Sequence, residues 1–234
     1  DFGDLLTSKS YVGGFGGGGR GCFFGGTDAP DNTVNQIQYI TIASVGNAID
    51  FGDLTTVIYG GGGLSDGARG IKFGGGTSSN GYNVIDYVTI ATPGNAIDFG
   101  DTVAANQREP AGLSDGTYGL WATGVHPGIS NAIDKITVAT TGNAIDWADL
   151  LVASKKGMAL GNKTRGLWLG GAGNSGQSSW LNTIQYITTA TQGNCVDFGD
   201  LLLAVQNAAG GITDATKGVI GGGTNPGYQN VIQY

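Results

Sequence analysis

Side chains for acid–base chemistry are scarce in this chain. It has one glutamate, Glu109, one histidine, His126, and only 12% charged residues over 234 positions. Aspartate is left as almost the sole candidate for proton transfer or metal ligation. That argues against hydrolytic or metal-dependent catalysis, and a non-enzymatic chain without cofactor or bound metal is expected. Lysine and arginine together number 11 against 18 acidic residues, a net charge of −7. Phosphate binding needs a basic stripe, so nucleic acid is not an expected partner. No apolar run approaches the roughly 18 residues of a membrane span, and no membrane insertion is expected. There are two cysteines, Cys22 and Cys195. They fall on different strand types at apolar positions, so both read as small buried hydrophobes rather than a disulfide pair. Without a disulfide framework the redox compartment stays open. The chain has no signal peptide and opens inside a repeat, so a start further upstream is expected.

What the chain has in excess is glycine, 46 residues, and with it a repeat. Five segments align: Asp1-Phe2-Gly3-Asp4, Asp50-Phe51-Gly52-Asp53, Asp98-Phe99-Gly100-Asp101, Asp146-Trp147-Ala148-Asp149 and Asp197-Phe198-Gly199-Asp200. Their first residues are 49, 48, 48 and 51 apart. Four are preceded by a Gly-Asn element such as Gly46-Asn47-Ala48-Ile49, with Cys195-Val196 in place of Ala-Ile in the last. Apolar residues returning at fixed spacing are not the pattern of a disordered glycine-rich linker. A period of this length with short β runs is the signature of propeller blades.

Each repeat reads as four strands. Strand a is glycine-rich and ends near Phe15, Leu64, Leu113, Leu160 or Ile212. A tight turn such as Ser65-Asp66-Gly67 leads to strand b, which carries Cys22, Ile71, Leu120, Leu167 or Val219 and breaks at glycines. Strand c opens with Asn-x-Ile at Asn35, Asn83, Asn131, Asn182 and Asn230, then runs through β-branched and aromatic residues. A Gly-Asn turn leads into strand d with the Asp-Phe-Gly-Asp element. Apolar residues on both strand faces suit a radial blade packed on each side better than a two-sheet sandwich. The expected fold is a single all-β domain over 1–234, a five-bladed β-propeller with four antiparallel strands per blade. A β-solenoid is the weaker alternative. Tyr234 aligns with Tyr87 and Asp1 with Asp98, so residues 1–6 are expected to supply strand d of the C-terminal blade and close the ring.

The strand order resembles the kelch repeat: an apolar strand ending in glycines (Ile71 to Gly76), a Tyr-bearing strand (Val84 to Thr92), and an aromatic-bearing strand (Ala96 to Thr102). The chain departs from kelch at the last aromatic, which is Phe in four copies and Trp147 in one. The wording Ile-Asp-Tyr-Val-Thr-Ile-Ala-Thr followed by Gly-Asn-Ala-Ile-Asp-Phe-Gly-Asp is similar to repeats in structural and tail-associated proteins of tailed bacteriophages, notably marine and cyanobacterial ones. That resemblance implies a virion or extracellular component: a fibre, appendage or decoration module. Its partners would be other virion proteins, a longer parent chain, or host-surface glycans. A secreted or cell-surface bacterial lectin of the same fold is the alternative.

Paired aspartates such as Asp50 and Asp53 could ligate calcium, but a three-residue spacing on a strand puts them on opposite faces. They are expected instead to cap backbone N–H groups at the strand end. The run Gly13–Gly21 lacks the Lys-Ser/Thr of a phosphate loop and aligns with strand a. Functional signal lies in loop variation. In a propeller the b–c and d–a connections share one face, and here both vary while the c–d turn hardly does. Variable loops on a rigid scaffold are where binding resides. The candidate ligand-binding residues on that face are Tyr59, Tyr82, Arg108, His126, Lys155, Trp180 and Tyr228. The aromatics among them suit stacking on sugars.

Overall fold

The computed structural model describes residues 1–104, 108–122, 124, 128–173, 179–207 and 210–234. Strands account for all of the regular structure among them. The chain forms two compact units, Asp1–Arg108 with Thr137–Ala144, and Glu109–Ile136 with Ile145–Tyr234.

In the first unit a short sheet is made by β1 (Lys9–Ser10), β4 (Thr27–Asp28) and β5 (Asn32–Thr33). Beside it β2 (Gly13–Gly17), β3 (Arg20–Phe24), β6 (Gln36–Thr41) and β7 (Ile49–Asp53) form the first repeat sheet, in the order 2-3-6-7. The second repeat sheet is β8 (Gly62–Ser65), β9 (Arg69–Phe73), β10 (Val84–Thr89) and β11 (Ile97–Asp101), again in chain order. Phe15, Phe24, Ile37, Phe51, Ile58, Val88 and Ile90 fill one cluster drawn from both sheets.

The second unit holds the third repeat sheet, β12 (Ala111–Ser114), β13 (Tyr118–Ala122), β14 (Ala132–Thr137) and β15 (Ile145–Asp149). The fourth is β16 (Met158–Gly161), β17 (Arg165–Leu169), β18 (Thr183–Thr188) and β19 (Val196–Asp200). A three-stranded sheet follows: β20 (Gly210–Thr213), β21 (Gly218–Gly221) and β22 (Ile232–Gln233). Pairing is antiparallel and runs within each repeat, so the repeats are self-contained sheets and not coils of a stacked solenoid. Four sheets have the expected four strands and the fifth has three. Among the described residues β22 pairs only with β21, and residues 1–6 lie outside any strand.

The Asp-Phe-Gly-Asp element is a β-bulge. Opposite Ile37 stands Gly52, opposite Gln38 stands Asp50, and Phe51 is the extra residue between them. The same register shift falls at Ile85/Asp86, Ile133/Asp134 and Ile184/Gln185. A bulge bends the strand and re-aims a side chain, here turning Phe51 and Phe99 into the core. It also corrects the expected parity. Asp53 pairs with Gln36 and Asp50 with Gln38, so the two aspartates share a face instead of opposing one another. Gly52 sits at φ +142, and a Cβ there would collide with the carbonyl of Gly94 in the next repeat's c–d turn.

That close approach explains why the Gly-Asn turn hardly varies. Ala96 donates its N–H to the Asp53 carbonyl at 2.8 Å, and Asn95 Oδ1 accepts the Asp53 N–H at 3.1 Å. The Asp4–Asn47, Asp101–Asn143 and Asp149–Asn194 pairs repeat the side-chain bond. The expected capping by aspartate is therefore reversed: asparagine caps the strand of the preceding repeat, and Asp50 and Asp53 stand exposed on the outer edge strand, where charge discourages further pairing.

A second link is polar and buried. Gln38, Asp86, Asp134, Gln185 and Gln233 occupy one register position on strand c and are each at most 4% exposed. Gln185 Oε1 accepts the Leu151 N–H at 2.7 Å, Gln38 accepts from Leu6 at 2.8 Å, and Gln233 from Leu203 at 3.0 Å. Asp86 accepts the Thr55 hydroxyl at 2.6 Å. Each latch holds the chain just after strand d of the preceding repeat. In the second repeat Asp86 also faces Lys72 at 3.6 Å, both 1% exposed, and Lys72 Nζ donates to the Val84 carbonyl at 3.0 Å. Burial lowers the Lys72 pKa, with Asp86 opposing that shift. Where the latch is glutamine, the strand-b position held by Lys72 is apolar: Phe23, Trp168 and Ile220.

The aromatic of the Asp-Phe-Gly-Asp element is not buried alike in every repeat. Phe51 and Phe99 are 2% and 3% exposed, Trp147 is half-buried, and Phe198 is 53% exposed. Beside it lies a cleft of about 280 Å³, lined among others by Leu160, Leu167, Ile184, Phe198 and Tyr234.

Candidate functional site

In each repeat whose loops are described, the connection entering strand a pairs with the b–c loop through single antiparallel bridges. Ser10 pairs with Thr27 and Thr27 with Thr33. The counterparts are Tyr59–Gly76–Gly81, Lys155–Ala172–Trp180 and Gln206–Thr224–Tyr228. Strand b ends in a glycine pair that makes this possible. Gly74 and Gly75 sit at φ +61 and +84, conformations that side chains resist, and turn the chain back across the end of the sheet. In these four repeats the two variable connections therefore lie together at one end of the sheet.

The expected site residues separate on this frame. Tyr59 and Lys155 are bridge residues, and Tyr59 lies against Tyr11 with ring centroids 5.7 Å apart. Arg108 is half-buried at the corresponding position of the third repeat. Trp180 and Tyr228 also stand at bridges, but Tyr82 falls one residue later, donates its N–H to Gly75, and packs against the core of the first unit. It is half-buried, with part of its ring committed to that packing. His126 lies outside the described residues.

Sequence reasoning missed the residue after each bridge. Tyr11, Gly60, Glu109, Lys156 and Asn207 all adopt left-handed backbone, with φ between +50 and +63. Only one is glycine, although glycine would hold that conformation without strain. Their backbones are linked: Gly60 donates to the Tyr11 carbonyl at 3.1 Å and Asn207 to the Lys156 carbonyl at 3.0 Å. Lys156 also lies 3.9 Å from the Glu109 carboxylate.

Trp180 and Tyr228 line one cleft of about 400 Å³ together with Gln206, Asn207 and Thr224. Elsewhere the thiols of Cys22 and Cys195 are buried, and burial pushes their pKa up to about 11 and about 12, which keeps them protonated and unreactive. Among the described residues no three His, Cys, Asp or Glu side chains converge as a metal site would need.

No protein-family model matches the chain, and a search of curated proteins finds no relative. The likeness to kelch and bacteriophage repeats rests on the motifs quoted above.

Proposed function

We propose that this chain is a five-bladed propeller serving as a non-catalytic structural and adhesive module of a virion, whose b–c and d–a connections contact host-surface glycans or neighbouring virion proteins. The observation that carries this reading is the bridging of the two variable connections at one end of the sheet in four repeats, over a frame of nearly constant turns and latches. Non-glycine side chains held at a left-handed position in the same row support it, since strain kept in place invites a functional reason. The single glutamate is engaged by Lys156 and both thiols are buried, which supports a role without catalysis.

Closure of the ring belongs to this proposal. Residues 1–6 already make the turn and latch hydrogen bonds that a strand d makes with the following repeat: Gly46 and Ala48 donate to the Phe2 and Asp4 carbonyls at 2.8 Å, and Leu6 is held by Gln38. What they lack is a strand c, and β22 lacks a strand d. The register of the other repeats would set Val231 opposite Asp4 and Ile232 opposite Gly3. Deleting residues 1–6 should then lower the melting temperature and promote aggregation through an open edge. Unchanged melting would overturn closure.

The adhesive reading is tested by replacing 27–33, 77–81 and 224–229 with Gly-Ser loops of equal length and measuring binding to a glycan array and to purified virion proteins. Loss of binding with melting retained is expected. Binding that survives the replacement would move the contact surface elsewhere.

A further inference from the structure

The cleft at the fourth and fifth repeats has features that the fold does not require. Its two aromatic residues stand at bridge positions where the first and second repeats have Thr33 and Gly81, so the frame is built equally well without them. Tyr228 is 96% exposed, and such a ring gains almost nothing from folding. Its loop is nevertheless braced. Gln229 Nε2 donates to the carbonyls of Asn225 and Gly227 at 2.6 and 3.0 Å, and Asn225 Nδ2 donates to the Ala204 carbonyl at 2.6 Å. The ring is thus presented from a fixed backbone, which lowers the ordering entropy lost when something binds to it.

The opposite wall is Trp180. Its Nε1–H is shielded from solvent and meets no acceptor among the described residues. A shielded donor of this kind is costly to leave unmade. Gln206, Asn207, Thr224, Pro226 and Gly227 complete the lining, which among the described residues holds no charged group. Apolar ring faces beside a few uncharged donors and acceptors match a ligand that is itself apolar on one face and hydroxylated at its edge.

We infer that this cleft binds a neutral saccharide, with a sugar ring stacked on Tyr228 or Trp180 and its hydroxyls met by Asn207, Gln206 and Thr224. The inference rests on the adhesive reading of the loop face and names its ligand class. The absence of a cation in the lining excludes anionic sugars as the preferred ligand, because their carboxylates would be desolvated without a partner.

The test is a screen of wild-type protein on an array of neutral and sialylated glycans, followed by NMR titration with the strongest neutral hit. Tyr228→Ala and Trp180→Ala should each weaken that hit by about tenfold or more, a change large enough to read as one decade in Kd. Tyr228→Phe should bind as wild type, and melting should be unaffected by either change at the exposed Tyr228. Trp180→Phe keeps a smaller stacking ring, and an intermediate affinity is expected. Wild type that binds no neutral glycan overturns the inference. So does neutral-glycan binding that survives Tyr228→Ala and Trp180→Ala but disappears on loop replacement; the adhesive reading would then stand and only this cleft would fall.

Discussion

Lys135 and Tyr118 stand in each other's place. In four repeats a cation at the start of strand b lies over a tyrosine on strand c: Arg20 over Tyr39 at 4.5 Å, Arg69 over Tyr87 at 5.0 Å, Arg165 over Tyr186 at 4.8 Å and Lys217 over Tyr234 at 5.6 Å. In the third repeat the tyrosine is on strand b and the lysine on strand c, with Nζ 3.6 Å from the Tyr118 centroid and 3.3 Å from that of Trp147. The interaction is kept although both residues have changed, so it is the pair that the fold needs.

Tyr118→Arg and Lys135→Tyr should therefore be coupled. Each alone is expected to lose roughly 1–2 kcal/mol, the range of a shielded cation–π contact. Together they rebuild the arrangement of the other repeats and should lose less than the sum. A double-mutant cycle by urea denaturation reads this directly, and strict additivity would show the two positions to be independent.

The buried Lys72–Asp86 pair offers a second internal comparison, because the first repeat places Phe23 and Gln38 at the same two positions. Lys72→Phe alone strands a buried carboxylate and is expected to destabilise by about 3–5 kcal/mol. Adding Asp86→Gln should recover most of that, since glutamine latches the preceding repeat without charge in the three repeats that use it. Equilibrium unfolding of the single and double variants is the check.

Phe51 and Phe198 have the same place in the repeat and different surroundings. Phe51→Ala should lose about 3–5 kcal/mol as a core aromatic, whereas Phe198→Ala should lose under about 1 kcal/mol. Equal losses would mean that Phe198 is covered in solution.

The Asp214 turn carries a pH signature. The Thr216 hydroxyl, followed by the N–H groups of Lys217 and Thr216, donates to its carboxylate and draws the pKa down to about 2. A group depressed on folding contributes stability above its unfolded pKa and loses it as pH falls through the folded one. The contribution of Asp214 is thus complete above its ordinary value of 3.8 and fades towards pH 2. A carboxyl NMR titration should place its midpoint near the lower figure, and Asp214→Asn should remove its share of the acid sensitivity in that window.

The repeat frame and the four-strand content of four of the sheets were legible in the sequence because their signals are local: Asn-x-Ile opens strand c, Asp66-Gly67 turns a hairpin, Gly-Asn precedes strand d. What was not legible depends on contacts between elements some forty residues apart. Asn95 reads as a turn residue of its own repeat, yet its side chain caps Asp53 of the one before. Asp86 reads as a polar interruption in an apolar strand, yet it is a latch. The bulge at Phe51 adds one residue to strand d, which defeated the parity argument for Asp50 and Asp53. At the candidate site the loops were correctly grouped, but a one-residue offset separated Tyr82 from Trp180 and Tyr228.

The latches all point the same way along the chain. Leu6 is held by Gln38, Thr55 by Asp86, Leu151 by Gln185 and Leu203 by Gln233, so at each of these four places the chain is secured by residues made some thirty positions later. On a ribosome this imposes a lag: a finished sheet waits, its outer edge unfastened, until strand c of its successor has emerged from the exit tunnel. Synthesis then proceeds like a zip, each repeat locking the one already made.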